Sequence, residues 1–587
     1  MALTNSEIAN LFERIADLLE IKGEIIHRVL SYRRAGESLY DLPRDLRSIA
    51  ADGKLTEIPG IGKTLAEKIE ELLETGKLQF YEKLTAEIPA TLVDVMRVNG
   101  VGPKKAALFW KERGVTDLAS LEAAARGGKL RDLPKMGEKS ELNIIAGIES
   151  LGRRTGRTPL GHALPAATRM LEALTRLPQV LDGAIAGSIR RGRPTIGDVD
   201  LLVSVSTMDD AAAIMHSFVS QELAARILGH GPTKSSVELQ NGLQVDLRVL
   251  EKIRWGTALA YFTGSQQHNI RMRERALERG LSLNEHAFSP VDDSRNIIEA
   301  APKILCATEE EVSATVGLPW IPPELREDAG ELEAAASGRL PHLISLNDIQ
   351  SDLHMHTTWS DGRATVKQMA EAALALGRKY IVITDHSRGA VIANGLSIER
   401  VLAQQEEVRR VDAEMAGRIR VFHGTEMDIL ADGTLDFPDE VLEKLDFVVA
   451  SLHVSLRQPR EQITRRVLNA IENPHVDVIG HPRGQLIPDR EGADLDMDAV
   501  FAAAAKSGTA LEINSNPERL DLEAQYARRA VDLGIKLAIN TDAHSVDHLH
   551  LLSYGITTAR RGWVEPSSVI NTLPADEFVT WTKGHGR

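Results

Sequence analysis

Two sets of side chains in this sequence have the types and spacing for chemistry on phosphate esters. The first begins at Gly187-Ser188, passes Arg190-Arg191 and ends in Gly197-Asp198-Val199-Asp200, at the head of the apolar run Leu201-Leu202-Val203. Asp198 and Asp200 lie two apart on what reads as a strand, so both carboxylates point to one face. Asp246 stands in a second strand-like segment, residues 243–249, where apolar and polar residues alternate. Three carboxylates on neighbouring strands can hold two Mg²⁺ ions roughly 3.5–4 Å apart, the arrangement for in-line phosphoryl transfer. Gly187, Ser188 and the arginine pair can offer backbone amides, a hydroxyl and guanidinium groups to a triphosphate. An isolated Asp-x-Asp is ordinarily a solvated strand end; the Gly-Ser, the arginines and the downstream Asp246 set this one apart.

The second set is spread over the last third of the chain. It comprises His354 and His356 (His-x-His), Asp361, His386 in Thr-Asp-His and Glu426 in Gly-Thr-Glu, followed by His453 in Ser-Leu-His, His481 in Gly-His-Pro, and Asp542 with His544 in Asp-Ala-His. Six imidazoles and three carboxylates with no thiolate suit Mn²⁺, Zn²⁺ or Fe²⁺ better than Ca²⁺. The elements that must position them are seven apolar strand-like runs, ending near His356, Asp385, Glu426, His453, His481, Asn514 and Thr541. Helical patterns such as residues 365–376 and 398–415 separate them. Alternating βα units predict a parallel barrel whose site forms at the C-terminal strand ends.

At 587 residues the chain is long enough for several domains. Its one cysteine, Cys306, excludes an internal disulfide and a thiolate metal cluster and fits a reducing cytoplasm. The start lacks a basic-then-apolar signal pattern, and no apolar run approaches the length of a membrane span, so no membrane association is expected. The net charge of −15 is concentrated late: residues 331–587 carry 27 Lys+Arg against 38 Asp+Glu. Contact with a polyanion must therefore come from local basic faces and backbone amides rather than a global field.

Residues 4 to about 50 have helical spacing at Ile8, Leu11, Phe12, Ile15, Leu18 and Leu19. A Gly-x-Gly turn follows at Gly60-Ile61-Gly62-Lys63, and a second at Asn99-Gly100-Val101-Gly102-Pro103-Lys104; a weaker third spans Pro134-Lys135-Met136-Gly137. Such a turn between helices exposes backbone N–H groups at a helix N-terminus, which suits a phosphate. Two close copies favour sequence-independent duplex binding through Gly60, Gly62, Lys63, Gly100, Gly102 and Lys104.

These turns resemble helix-hairpin-helix motifs, and the segment from Gly187 to Asp200 with Asp246 resembles the palm of family X DNA polymerases, the group containing DNA polymerase beta. That resemblance implies catalysis by Asp198, Asp200 and Asp246, with Gly187, Ser188, Arg191 and Gly197 on the triphosphate of a dNTP. Residues 253–320 resemble the family segment that receives the nascent base pair. Tyr261, Phe262 and Gly264 would then face the incoming nucleotide, and Asn269 and Arg273 the minor groove. The first hairpin is similar to the family's lyase domain, in which Lys68 falls at the Schiff-base lysine and His27 and Tyr32 near the DNA 5′ end. Arg28 and Thr64 stand where polymerase beta has lysines, which weakens the expected grip on a 5′-phosphate. The last third resembles the polymerase and histidinol phosphatase (PHP) domain with all nine ligand positions filled, implying three metal ions in a distorted seven-stranded barrel.

The expected organisation is a helix-hairpin-helix lyase-like domain (1–80), a second hairpin domain (81–152), an α+β nucleotidyltransferase palm (153–252), a base-pair-binding subdomain (253–320), a proline-marked linker (321–345) and an α/β PHP barrel (346–575). The expected activity is gap-filling repair synthesis on gapped or nicked duplex DNA by a cytoplasmic bacterial enzyme, expected to be a monomer. The expected companion activity is 3′–5′ exonuclease, with cleavage at abasic sites beside it. Rival readings make the protein a template-free nucleotidyltransferase, or its barrel a small-molecule phosphoesterase or a metal-binding structural platform.

Overall fold

The computed structural model describes residues 3–40, 42, 44–98, 100–134, 136–153 and 156–584. The chain divides into two compact units, Met1–Gly156 and Arg157–Arg587. Among the described residues the first unit is all helical. The stretch expected to be helical, residues 4 to about 50, forms Asn5–Lys22, which ends at Gly23 in the left-handed region, then Ile26–Tyr40 and Leu46–Ala51. Ile8, Phe12, Ile15, Leu18 and Leu19 are buried, and Leu11 is half-buried. Both Gly-x-Gly turns have one geometry. The Ile61 amide donates to the Ile58 carbonyl (3.0 Å), and Val101 to Val98 (2.9 Å). Gly62 and Gly102 then cap the helices Lys63–Thr75 and Pro103–Arg113. Asn99 of the second turn and Lys135 of the third lie outside the described residues.

The second unit starts with a five-stranded sheet in the order Asp182–Ile185, Asp198–Val205, Gln244–Glu251, Lys234–Glu238, Arg226–His230. The second and third strands are parallel, and their neighbours antiparallel. Strand alternation decides what each face does. Val199, Leu201, Val203, Val245 and Leu247 enter a core with Ala163, Met170 and Phe218 from the covering helices. The opposite parity holds Asp198, Asp200, Asp246 and Leu202, the last packed on Trp255 and Leu259 of the helix Trp255–Thr263.

Residues 321–345, expected as a linker on the strength of their prolines, are packed instead. Leu325, Leu332, Ala335 and Leu343 join the core around Met272 and Phe288. Arg326 and Glu331 are buried with them. The prolines shape a folded connection because apolar residues recur between them.

Seven parallel strands follow in sequential order: Ser351–Asp352, Tyr380–Ile383, Arg420–Asp428, Phe447–Ser451, Val478–Gly480, Ala510–Asn514 and Leu537–Asn540. A bridge between Met355 and Ala543 brings the first and last strands' continuations together, so the barrel nearly closes. Val382, Phe422, Val449, Val478, Ala510 and Ala538 pack together with Phe578 from the helix Ala575–Lys583. Residues of that parity further along two of these strands are Glu426 and Glu512, both fully buried.

Candidate functional site

In the five-stranded sheet the register places Asp200 directly opposite Asp246 on adjacent parallel strands, with Asp198 two residues before Asp200. Asp198 is exposed, Asp200 half-buried and Asp246 buried. Burial, then the charges of Asp198 and Asp246, push the Asp200 carboxyl up to about 7. Lys234 Nζ lies 2.6 Å from Asp246, and the Gln244 amide donates to it at 2.8 Å. Mutually repelling carboxylates on one face are a donor set that a hard divalent cation fits, because its charge removes the repulsion.

Gly187 sits at φ +61, and a Cβ there would come within 2.6 Å of Asp200 Oδ2. Only glycine allows both this turn and this approach. The one-turn helix Gly187–Arg190 follows, carrying Ser188. Arg191 donates to Glu327 (3.1 Å) and to the Thr263 carbonyl (2.6 Å), while Arg190 forks onto Glu309 with two 2.8 Å bonds. The arginine pair is thus anchored from below by the segment around 309–327. Gly197 lies just ahead of Asp198, against Arg157 Nη1.

Tyr261 and Phe262 meet edge to face at 5.2 Å, and the Arg248 guanidinium stacks on Phe262 at 4.3 Å. Asn269 donates to the Tyr261 carbonyl (2.7 Å), and Arg273 to the Asn269 carbonyl (3.3 Å). Tyr261, Asn269 and Arg273 line one cavity with Thr257, Glu309 and Arg326. Gly264 ends the helix Trp255–Thr263 within 3.1 Å of Arg191 Nη1, measured from the Cβ it lacks.

The barrel brings all nine expected residues together. Glu426 is the hub. Its Oε2 lies 2.9 Å from His386 and 3.4 Å from His354, and its Oε1 lies 2.9 Å from His481 and 3.2 Å from His453. Asp542 is 3.1 Å from His356, and Asp361 is 3.4 Å from His544 and 3.8 Å from His386. Three subsets have donor atoms close enough to share an ion: His356, Asp361, His386 and His544; His354, His356 and Asp542; and His386, Glu426 and His453. The fit to metal rests on orphaned atoms. His354 Nε2, His356 Nδ1, His386 Nδ1, His481 Nδ1 and Glu426 Oε2 are buried with no hydrogen bond. Buried polar atoms seldom stay unsatisfied, and a cation supplies what is missing.

The charges here are strongly coupled: against burial, neighbouring carboxylates raise His354, His453 and His544, while burial and like charges lower His356. Burial opposes ionisation of Glu426, yet His453, His386 and His354 hold it well below the usual carboxylate range. Asp542 is held low in the same way by His354 and His356. Burial and the neighbouring His386 and His544 lower His356 to about 4, which keeps it a neutral ligand. His481 (φ 25) and Asp542 (φ 53) adopt left-handed backbone, the strained conformation that functional sites retain.

A supporting layer has no counterpart in the expected site. Glu512 accepts from His354 Nδ1 (2.7 Å), the His481 amide (2.7 Å) and Asn540 (2.9 Å). Asp428 holds His453 Nδ1. Asp385 receives the Thr357 amide and hydroxyl and the Ser360 amide beside Asp361. Such partners fix each ring's tautomer and direction. The available signal was a carboxylate inside an apolar strand: Glu512 interrupts Ala510-Leu511-Glu512-Ile513.

In the first unit Lys68 lies on the helix behind the first turn, its Nζ 4.5 Å over the Phe80 ring. Burial, with Arg28 nearby, lowers its pKa despite Glu71. Tyr32, expected against DNA, is 3% exposed and stacks on Phe80 at 5.9 Å, so it belongs to the core. His27, Gly60, Gly62, Lys63, Gly100, Gly102 and Lys104 are exposed.

Family models match four stretches: a helix-hairpin-helix domain at residues 3–78, a SAM-like helix-hairpin-helix tandem at 92–150, a DNA polymerase beta thumb at 258–327 and a PHP domain at 352–516. Two relatives match about a third of the chain. A probable phosphatase of Thermoanaerobacter sp. (strain X514) is 30% identical over 236 residues, covering 38% of this chain and 89% of that protein. A probable phosphatase of Caldanaerobacter subterraneus is 32% identical over 205 residues, covering 33% and 75%. The DNA polymerase/3′-5′ exonuclease PolX of Bacillus subtilis (strain 168) is 38% identical over 579 residues, covering 98% of this chain and 99% of that protein. With a match of that extent and the polymerase beta thumb and PHP models inside it, the chain belongs to the PolX family of family X DNA polymerases that carry a C-terminal PHP domain.

Proposed function

We propose that the protein fills short gaps in duplex DNA and trims 3′ ends, with the two chemistries at separate metal centres of one chain. The observation that carries this is the pairing of the three-carboxylate face with a complete nine-residue barrel set, in a chain aligned end to end with a polymerase/exonuclease. Asp198 and Asp200 would hold both Mg²⁺ ions, and Asp246 one of them. Divalent ions at either centre supply Lewis acidity and neutralise charge developing on phosphate oxygens. Asp246 accepts the proton of the attacking 3′-hydroxyl, Lys234 having moved from the oxygen it now contacts. Gly187, Ser188, Arg191 and Gly197 cradle the triphosphate. Tyr261, Phe262 and Gly264 close on the sugar, and Asn269 and Arg273 turn to the minor groove, whose acceptors differ little among correct pairs. Gapped or nicked DNA is gripped at Gly60, Gly62, Lys63, Gly100, Gly102 and Lys104.

The barrel ligands would hold Mn²⁺, Zn²⁺ or Fe²⁺, the ions that imidazole favours. Beyond trimming, cleavage at abasic sites belongs to this proposal, as do a weak Lys68-dependent lyase step, a monomeric state and a cytoplasmic location. Among the described residues no helix is long and apolar enough to cross a membrane. The second reading, a small-molecule phosphoesterase in the barrel, is favoured by the two phosphatase relatives. A labelled primer on a one-nucleotide gap, incubated with and without dNTPs in Mg²⁺ and then Mn²⁺, tests both. Extension with dNTPs and shortening without them is expected. Shortening only of small phosphate monoesters, with DNA untouched, would favour the second reading.

A further inference from the structure

The helix Leu552–Arg561 follows the last barrel strand and the Asp542/His544 ligand pair, yet its end lies against the loop assigned to the triphosphate. Arg561 Nη1 donates to the backbone carbonyl of Arg191 (2.8 Å) and to Glu327 (3.0 Å). Glu327 also accepts from Arg191 (3.1 Å) and pairs with Arg193 at 3.8 Å. One carboxylate therefore sits among three guanidinium groups. The packing is close. Gly192 is at φ +68, and a Cβ there would come within 2.1 Å of Thr557 Cγ2 on the same helix, so only glycine fits. Arg561 is 9% exposed and Arg191 14%, which makes these bonds much less screened than surface pairs. Burial pushes the Glu327 carboxyl up, but Arg191, Arg193 and Arg561 hold it at about 2, so it stays ionised.

We propose that Arg561, supplied by the PHP barrel, is a positioning residue for nucleotide binding in the palm. It fixes the Arg191 carbonyl directly and the Arg191 guanidinium through Glu327, so the loop meets the triphosphate already shaped. The barrel thereby has a part in synthesis that is separate from its metal centre. This rests on the assignment of residues 187–191 to the triphosphate, and the experiment tests the two apart.

The KM for dNTP and the kcat are measured on one-nucleotide-gapped DNA for the wild type, Arg561→Ala, Arg561→Lys and Arg191→Ala. Nucleotide affinity is also read directly, by fluorescence titration against a dideoxy-terminated primer. For Arg561→Ala the expected result is a KM raised about tenfold with kcat within about threefold, as for loss of a charged hydrogen-bonded contact. Mn²⁺-supported trimming should stay near wild type, and the thermal midpoint should fall by only a few degrees, since Arg191 and Arg193 still pair with Glu327. Arg561→Lys, which keeps one of the two bonds, should fall between. An unchanged KM in Arg561→Ala beside a raised KM in Arg191→Ala overturns the positioning role and leaves the loop assignment standing. No change in either variant overturns the loop assignment itself. Parallel loss of synthesis, trimming and thermal stability in both Arg561 variants also overturns the proposal, because it marks a purely architectural contact.

Discussion

The two metal centres are built on opposite principles. The palm face takes its carboxylates from two adjacent strands, and one of them, Asp198, is exposed. Arg248 and Lys234 only partly offset the burial and the two like charges that push Asp200 to about 7. The barrel draws nine side chains from six of its seven strands or the loops just beyond them and buries most of them. Several are braced by a further carboxylate or backbone group, such as Glu512 behind His354 and Asp428 behind His453. The first arrangement suits ions that arrive with a substrate and are completed by its phosphates; the second suits ions that reside. A chain carrying both can change metals and ligands at one centre without disturbing the other.

The largest expected break in that comparison is at the barrel. His354→Ala removes a ligand and leaves Glu426 and Glu512 facing an empty position. Trimming should fall by on the order of 10³-fold or more, with dNTP incorporation within a factor of a few, followed on one labelled primer. Next is the supporting layer. Glu512→Ala keeps all nine ligands but frees the His354 ring, and Mn²⁺ affinity by competitive titration should weaken about 10–100-fold. Unchanged affinity would mean that the barrel centre is as loosely built as the palm.

A smaller effect concerns the junction beneath the palm. Glu309 and Glu327 are both held at about 2, against an ordinary 4.5, by arginines that outweigh burial. Because their folded-state values are depressed, the stability they add is complete above pH 4.5 and is lost as pH falls from there toward 2. The linkage is on the order of 3 kcal/mol each. The thermal midpoint of Glu309→Gln should therefore fall less steeply than wild type across that window, and an identical slope would refute the assignment. Smallest is Lys68. Burial lowers the pKa of its amine, and Arg28 and Thr64, standing where the resemblance expects lysines, predict a weaker hold on a 5′-phosphate. Borohydride with 5′-deoxyribose-phosphate DNA should trap a faint adduct that disappears in Lys68→Ala. Equal trapping in the variant would assign the chemistry to another amine.

What was legible in the sequence follows from where information is local. His354 and His356, or Asp542 and His544, announce themselves because two ligands share one short loop after an apolar run. Asp198 and Asp200 do so because strand period puts them on one face. Glu512 and Asp428 carried no motif, only a lone carboxylate in an apolar strand whose partner lies on another strand, His354 being 158 residues from Glu512. Arg191 was legible as a phosphate-binding type, but its anchor Glu327 is 136 residues away in a stretch that prolines made look like a linker. Tyr32 illustrates the converse. Its place in the chain pointed to DNA, and packing against Phe12 and Phe80 placed it in the core.

The claim that one chain houses two independent centres is tested most directly by two variants on one substrate. A 5′-labelled primer on gapped DNA, in Mn²⁺ with all four dNTPs, is followed at single-nucleotide resolution for Asp246→Ala and Asp542→Ala. The account predicts that Asp246→Ala only shortens the primer and Asp542→Ala only lengthens it, both binding the duplex as wild type does. Extension by Asp246→Ala, or shortening by Asp542→Ala at the wild-type rate, would contradict it.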